Sequence, residues 1–201
     1  TPLIASAQEG YRFSSLTVGS GQDPIASGIT GIVQFTNERK RLIEVAVQQD
    51  QAWVTYGRNF SKSSVSGLIG ATVGHLEGAP WAGPILTLKV PIAKVAGQQV
   101  SVGTMQWPGF FLWEPYGRRH DAVPNPESVF MGYLANVHLD VGPVGLVYSR
   151  LNYLESPWND LPGVSYTAKI QKDFSLSSSA TWNNNKEKWM FYVGLTWKPE
   201  R

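Results

Sequence analysis

The chain alternates with period two over most of its length, and that periodicity restricts it to strands. The pattern is clearest in Lys188-Trp189-Met190-Phe191-Tyr192-Val193-Gly194-Leu195-Thr196-Trp197-Lys198. One parity holds Trp189, Phe191, Val193, Leu195 and Trp197; the other holds Met190, Tyr192, Gly194 and Thr196. Successive side chains of a strand point to opposite faces, so this segment has one wholly apolar face with tryptophan at both ends.

Further segments repeat the arrangement. In 129–141, Met131, Tyr133, Ala135, Val137, Leu139 and Val141 oppose Gly132, Leu134, Asn136, His138 and Asp140. In 164–174, Tyr166, Ala168, Ile170 and Phe174 oppose Ser165, Thr167, Lys169, Gln171 and Asp173. In 144–154, Val147, Leu151 and Tyr153 oppose Tyr148, Arg150 and Asn152. In 84–93, Leu86, Leu88, Val90 and Ile92 oppose Thr87 and Lys89; in 41–49, Ile43, Val45 and Val47 oppose Glu44, Ala46 and Gln48. Segment 29–36 behaves alike, 51–60, 63–75, 98–107 and 175–183 alternate less cleanly, and 10–19 is ambiguous. Together these predict about twelve strands of about ten residues, the length that crosses a bilayer when tilted.

Composition narrows the class. Only 16% of the 201 residues are charged and none is cysteine, while Trp, Tyr and Phe number 8 each. An ordinary soluble domain carries about a quarter charged residues. Disorder is excluded by the apolar and aromatic content, and a disulfide scaffold or cysteine zinc site by the lack of Cys. No apolar run approaches the roughly 20 residues of a membrane-spanning helix. A net charge of +2 without a long basic run gives no nucleic-acid footprint. Ala5-Ser6-Ala7 resembles the end of a signal peptide without the charged and apolar regions before it, which fits a processed N-terminus.

The connections supply an independent test. With both termini on one side, the turns on that side are 37–40, 61–64, 95–98, 142–143 and 173–176, all short. The other side carries 19–28, 49–51, 75–83, 108–128, 155–162 and 183–188, all but one of them longer. Proline cannot donate to a ladder. All prolines except Pro91 fall in these loops, turns, termini or strand ends, and Pro91 marks a bulge or an early strand end.

On these residues the chain resembles bacterial outer-membrane β-barrels as a class, over roughly 10–198, with the aromatic strand 188–198 as the most specific part. It departs from the usual C-terminal aromatic, because Lys198-Pro199-Glu200-Arg201 follow Trp197. The resemblance implies a single all-β domain over 1–201, a transmembrane up-and-down antiparallel barrel with short periplasmic turns, longer extracellular loops and periplasmic termini. The alternative fold is a soluble lipocalin-like binding barrel, in which the apolar parity is the core.

If the apolar parity faces lipid, the polar parity lines the bore. The pore-lining candidates are Glu44, Lys89, Asn136, His138, Tyr148, Arg150, Lys169 and Asp173. A bore of mixed sign is either a channel that selects solutes by charge or a plug of salt bridges. The segment 108–128 is aromatic in its first half and polar in its second, where Arg118, Arg119, His120 and Asp121 are ligand candidates. Its arginines suit a constriction or the phosphates of lipopolysaccharide.

The leading functional expectation is an outer-membrane channel for small solutes, anions among them, with Lys89, Arg150 and Lys169 as the positive wall. The competing one is an outer-leaflet lipid-modifying enzyme using His75 or His120 with Ser128 or Ser156; no G-x-S-x-G motif is present. The expected partners are a small-molecule solute and outer-membrane lipid or lipopolysaccharide. No spacing of His, Asp and Glu suggests a metal, and no cofactor fingerprint occurs.

Overall fold

The structure is a computed structural model in which residues 10–22, 27–76, 78–111, 130–153 and 158–199 are described. They form β1 (Arg12–Gln22), β2 (Ser27–Thr36), β3 (Arg41–Val47), β4 (Gln51–Lys62), β5 (Val65–Leu76) and β6 (Ala79–Val95). They continue with β7 (Gln98–Phe111), β8 (Phe130–Val141), β9 (Val144–Tyr153), β10 (Asn159–Lys169), β11 (Phe174–Asn183) and β12 (Lys188–Trp197). Each strand pairs antiparallel with its sequence neighbours, and β12 pairs with β1 to close an up-and-down barrel of 12 strands. Closure leaves no sheet edge, which is what lets a sheet stand in hydrocarbon.

The register sorts side chains into two faces. Val18, Ile29, Val54, Val73, Val137, Leu146, Val164, Phe191 and Val193 are exposed on the outer one. Ser15, Thr30, Thr55, Thr72, Ser149 and Thr181 are buried on the inner one. The outer wall is therefore apolar, as a lipid-facing barrel requires, and the interior is mixed, with these hydroxyls beside buried apolar residues such as Trp53, Trp81 and Leu161. Aromatic residues mark two levels of the outer face. Near the termini Phe13 packs on Trp197 and on Phe35; at the opposite end Trp182 packs on Trp189. Trp189 and Trp197 sit about 20 Å apart along the barrel axis, given a rise of about 3.4 Å per residue and a tilt near 40°. That spacing matches an apolar band about 25 Å tall between aromatic girdles.

Strand count and the outward face of β12 agree with the sequence reading, as does Pro91, where the β6–β7 register shifts between Pro91 and Ala93. The turn after it, Ala96-Gly97, has φ of 47° and 79°, the paired positive values of a tight two-residue hairpin.

Three expectations fail. The connection expected over 75–83 is shorter, because β5 runs to Leu76 and β6 begins at Ala79, which pairs with Leu76 and is fully buried. Likewise β7 runs on to Phe111 and β10 starts at Asn159. Prolines are not confined to connections: Pro80, Pro84, Pro108 and Pro162 lie within strand spans. The β6–β7 ladder has no paired residues between Ala82↔Phe110 and Leu86↔Gln106, the stretch holding Pro84 and Pro108. A Cβ at Gly83 would fall 1.8 Å from the Pro108 carbonyl oxygen, so the two backbones touch there, where only glycine fits.

Candidate solute pathway

The inner face is built from three groups of side chains. The first lies near the short turns, where β6, β7 and β8 are neighbours and Lys89↔Gly103↔His138 align. Lys89 Nζ lies 2.7 Å from Asp140 Oδ2, and His138 Nε2 lies 3.5 Å from the same oxygen. Gly103 makes this possible, since a Cβ there would fall 2.1 Å from His138 Nε2. Lys89, half-exposed, is therefore paired with a carboxylate across β7.

A second group crosses β1 to β4. Ser15 Oγ donates to Gln34 Oε1 at 2.8 Å, and Gln34 Nε2 donates to Glu44 Oε2 at 2.7 Å. Trp53 Nε1 donates to Glu44 Oε1 at 3.2 Å, so both carboxylate oxygens accept a bond. Beside it, toward the long-loop end, Ala46, Trp53, Ala79, Trp81 and Phe111 form an apolar cluster with Ile32, Leu76 and Trp107 against it. Trp107 stands edge-on to Trp53 at 5.6 Å and to Trp81 at 5.3 Å. These rings fill the bore from the β2–β7 side.

The opposite wall is small and hydroxylated. Ser175, Ser177 and Ser179 of β11 face Thr196, Gly194 and Tyr192 of β12 in register. Thr17 and Thr196 share a hydrogen bond of 2.8 Å where β1 meets β12. Tyr192 lies flat along this wall: a Cβ at Gly19 would fall 2.1 Å from its hydroxyl. Rings on one side and serines on the other make the interior eccentric.

The pore-lining candidates divide accordingly. Glu44, Lys89, Asn136 and His138 lie on the inner parity, where Asn136 Oδ1 accepts the Met105 amide at 3.0 Å. Lys169 ends β10 on the inner parity, opposite Ser175, and is exposed. Asp173 sits in the turn before β11 rather than in a strand wall, with Oδ1 buried and unpartnered among the described residues. Tyr148 and Arg150 are on the wrong face in the sequence reading. They pair with Val137 and Ala135 on the outer face, while Val147, Ser149 and Leu151 point inward. Gly145 and Ser149 are the buried small residues of that inner face. A Cβ at Gly145 would lie 2.4 Å from Ser165 Oγ.

Arg118, Arg119, His120 and Asp121 lie outside the described residues, as do Ser128 and Ser156. His75 is exposed on the outer parity of β5. Among the described residues no group of His, Asp and Glu is placed to hold a metal ion. Trp53 and Trp107 escaped sequence reasoning because 51–60 and 98–107 carry large residues on both parities, and Trp81 because it fell in the expected connection 75–83; for Trp53 and Trp81 the signal was Gly74, which pairs with both.

No protein-family model matches the sequence, and no curated protein sequence matches it. Solved structures do. The KdgM porin superposes with a TM-score of 0.60 at 11% identity, covering 94% of this chain and 100% of that one. The NanC porin gives 0.62 at 9% identity, covering 92% of this chain and 100% of that one. The Acinetobacter baumannii outer membrane protein Omp33 gives 0.51 at 11% identity, with 96% and 100% covered. At such identities the likeness is one of fold, and it agrees with the apolar outer wall and aromatic belts: the chain has the closed, 12-stranded antiparallel barrel of outer-membrane porins.

Proposed function

We propose that the protein is an outer-membrane channel for the diffusion of small polar solutes, anions among them. The observation that carries this reading is the pairing of an apolar, aromatic-belted outer face with an inner face that bears a serine and threonine wall opposite its apolar cluster, in one closed barrel. A KdgM porin structure contains disordered oligogalacturonate, a chain of acidic sugars, which supports a bore of this architecture admitting anionic solutes.

In this reading the solute runs along the serine and threonine wall of β10–β12 and β1, past the tryptophan cluster opposite. Glu44, Lys89, Asn136, His138, Lys169 and Asp173 border the path. Lys169, with no ion pair among the described residues, supplies the positive charge that Lys89 cannot while Asp140 holds it. The short turns and both termini face the periplasm, in keeping with the asymmetry of such barrels.

Purified, refolded protein in a planar bilayer tests the reading. Discrete ion currents with an anion-favouring reversal potential in a salt gradient are expected, and Lys169→Gln reduces that preference. A folded protein that passes no current contradicts it.

A further inference from the structure

The outer wall carries a polar cluster for which a solute pathway has no use. On β7–β10 the outward apolar run Val137, Leu139, Leu146 and Val164 gives way, toward the long-loop end, to Arg150, Asp160, Tyr148 and Trp158. Arg150 Nε lies 3.3 Å from Asp160 Oδ1, and the Tyr148 hydroxyl donates to that same oxygen at 2.6 Å. The guanidinium also lies over the Trp158 ring, 4.8 Å from its centroid. Tyr133 meets Trp158 edge-on at 5.9 Å and donates to Gln106, whose Nε2 donates to Thr104 Oγ1 at 2.9 Å.

We propose that Arg150, braced between Asp160 and Trp158, binds the phosphate of a membrane lipid in the leaflet on the long-loop side. The inference rests on the membrane-barrel reading but not on conduction. Arg150 is three residues from the end of β9, roughly 8 Å below it along the axis at the usual rise and tilt. That is the boundary level where tryptophan and tyrosine gather and where headgroups lie. Asp160 engages Nε, and no described residue takes the two terminal nitrogens of a side chain that is 50% exposed. Hydrocarbon has no acceptor for them, whereas a phosphate accepts two parallel N–H bonds from a guanidinium. Asp160 already accepts from Tyr148 and Arg150, which limits its repulsion of an incoming anion. The Trp158 face fixes the guanidinium plane, so binding loses little side-chain freedom.

A second copy of the chain is the competing occupant, since Arg150 and Asp160 are self-complementary. The aromatic residues around the pair favour lipid, because ring belts at this depth mark a headgroup boundary on a barrel.

Native mass spectrometry of the folded protein released from detergent decides the matter. Phosphatidylglycerol is compared with monogalactosyl diacylglycerol, which has no phosphate. Wild type is expected to retain the phospholipid about tenfold more, a difference of about 1.4 kcal/mol. Arg150→Gln removes the preference, Arg150→Lys keeps part of it, and Trp158→Leu gives an intermediate loss with the Arg150–Asp160 pair intact. If Arg150→Gln does not fold, the lysine and leucine variants carry the comparison, and wild-type retention in both defeats the proposal. Equal retention of the two lipids by wild type overturns it. So does displacement of the phospholipid by millimolar inorganic phosphate, which marks a free-anion site, or a lipid-free dimer that Arg150→Gln dissolves. Failure of conduction with phospholipid retention intact overturns the channel reading alone.

Discussion

Lys89 of β6 reaches across β7 to Asp140 of β8, its ammonium 2.7 Å from Oδ2, and so the most conspicuous cation of the inner wall is already spoken for. Removing the carboxylate sets it free. Asp140→Asn is expected to raise anion preference, and Lys89→Gln to lower it by leaving the Asp140 carboxylate without its lysine, beside His138. Reversal potentials in a tenfold salt gradient report the sign. The shifts shrink at high salt, as expected for half-exposed charges in a wet bore. Unchanged potentials in both variants contradict an aqueous path past this pair.

Gly103 is the device that admits His138 beneath that bridge. A valine there places its Cβ within 2.1 Å of His138 Nε2 and 2.9 Å of the Leu88 carbonyl oxygen. The imidazole can swing away but the carbonyl belongs to the ladder, so Gly103→Val is expected to destabilise the barrel by about 1–3 kcal/mol, the range of overpacking. Urea unfolding from liposomes measures it, and a midpoint equal to wild type removes the steric argument.

The aromatic cluster opposite the serine wall both stiffens and narrows the bore. Trp81 is buried at 8% exposure between Trp107 and Phe111. Trp81→Ala is expected to lose about 3–5 kcal/mol of stability, as for other large-to-small changes in a packed interior. It also widens the eccentric passage, so single-channel conductance rises. A less stable variant of unchanged conductance shows that the current runs elsewhere.

The outer face responds in the opposite sense. Val193 lies midway between Trp189 and Trp197 and is 52% exposed. An arginine at this level of a lipid-facing wall costs about 2–4 kcal/mol. Val193→Arg is therefore expected to impair folding into phospholipid vesicles, while Ser177→Arg, on the inner parity of β11, folds but reduces current. Equal folding of Val193→Arg and wild type contradicts a lipid-facing β12.

Residue pattern revealed the barrel more readily than it revealed the bore. Period two gave the number of strands because a lipid-facing wall needs one apolar parity, which β12 shows without interruption; it left 10–19 ambiguous and missed the start of β6, the end of β7 and the start of β10. Pro91 was readable for a related reason: a residue without an amide proton must break a ladder, and the register shifts there. The inner face was harder because polarity was the wrong guide to it. In a narrow bore, smallness decides as much as charge. Gly145 and Ser149 share the inner face of β9 while Tyr148 and Arg150 face out, and Trp53 and Trp81 point inward on either side of Gly74. Those pairings join residues from different strands, and single-segment alternation contains no information about them. The remaining prolines were misjudged likewise, since Pro84 and Pro108 sit where the β6–β7 ladder is interrupted by the close approach of Gly83.

Single-channel recording of pure, refolded protein in a planar bilayer bears most directly on the whole picture. Stepwise currents of uniform size are expected, with larger steps for Trp81→Ala and weaker anion preference for Lys169→Gln. Protein that is folded by its heat-modifiable mobility, inserts into the bilayer and still carries no current would contradict a channel through this barrel.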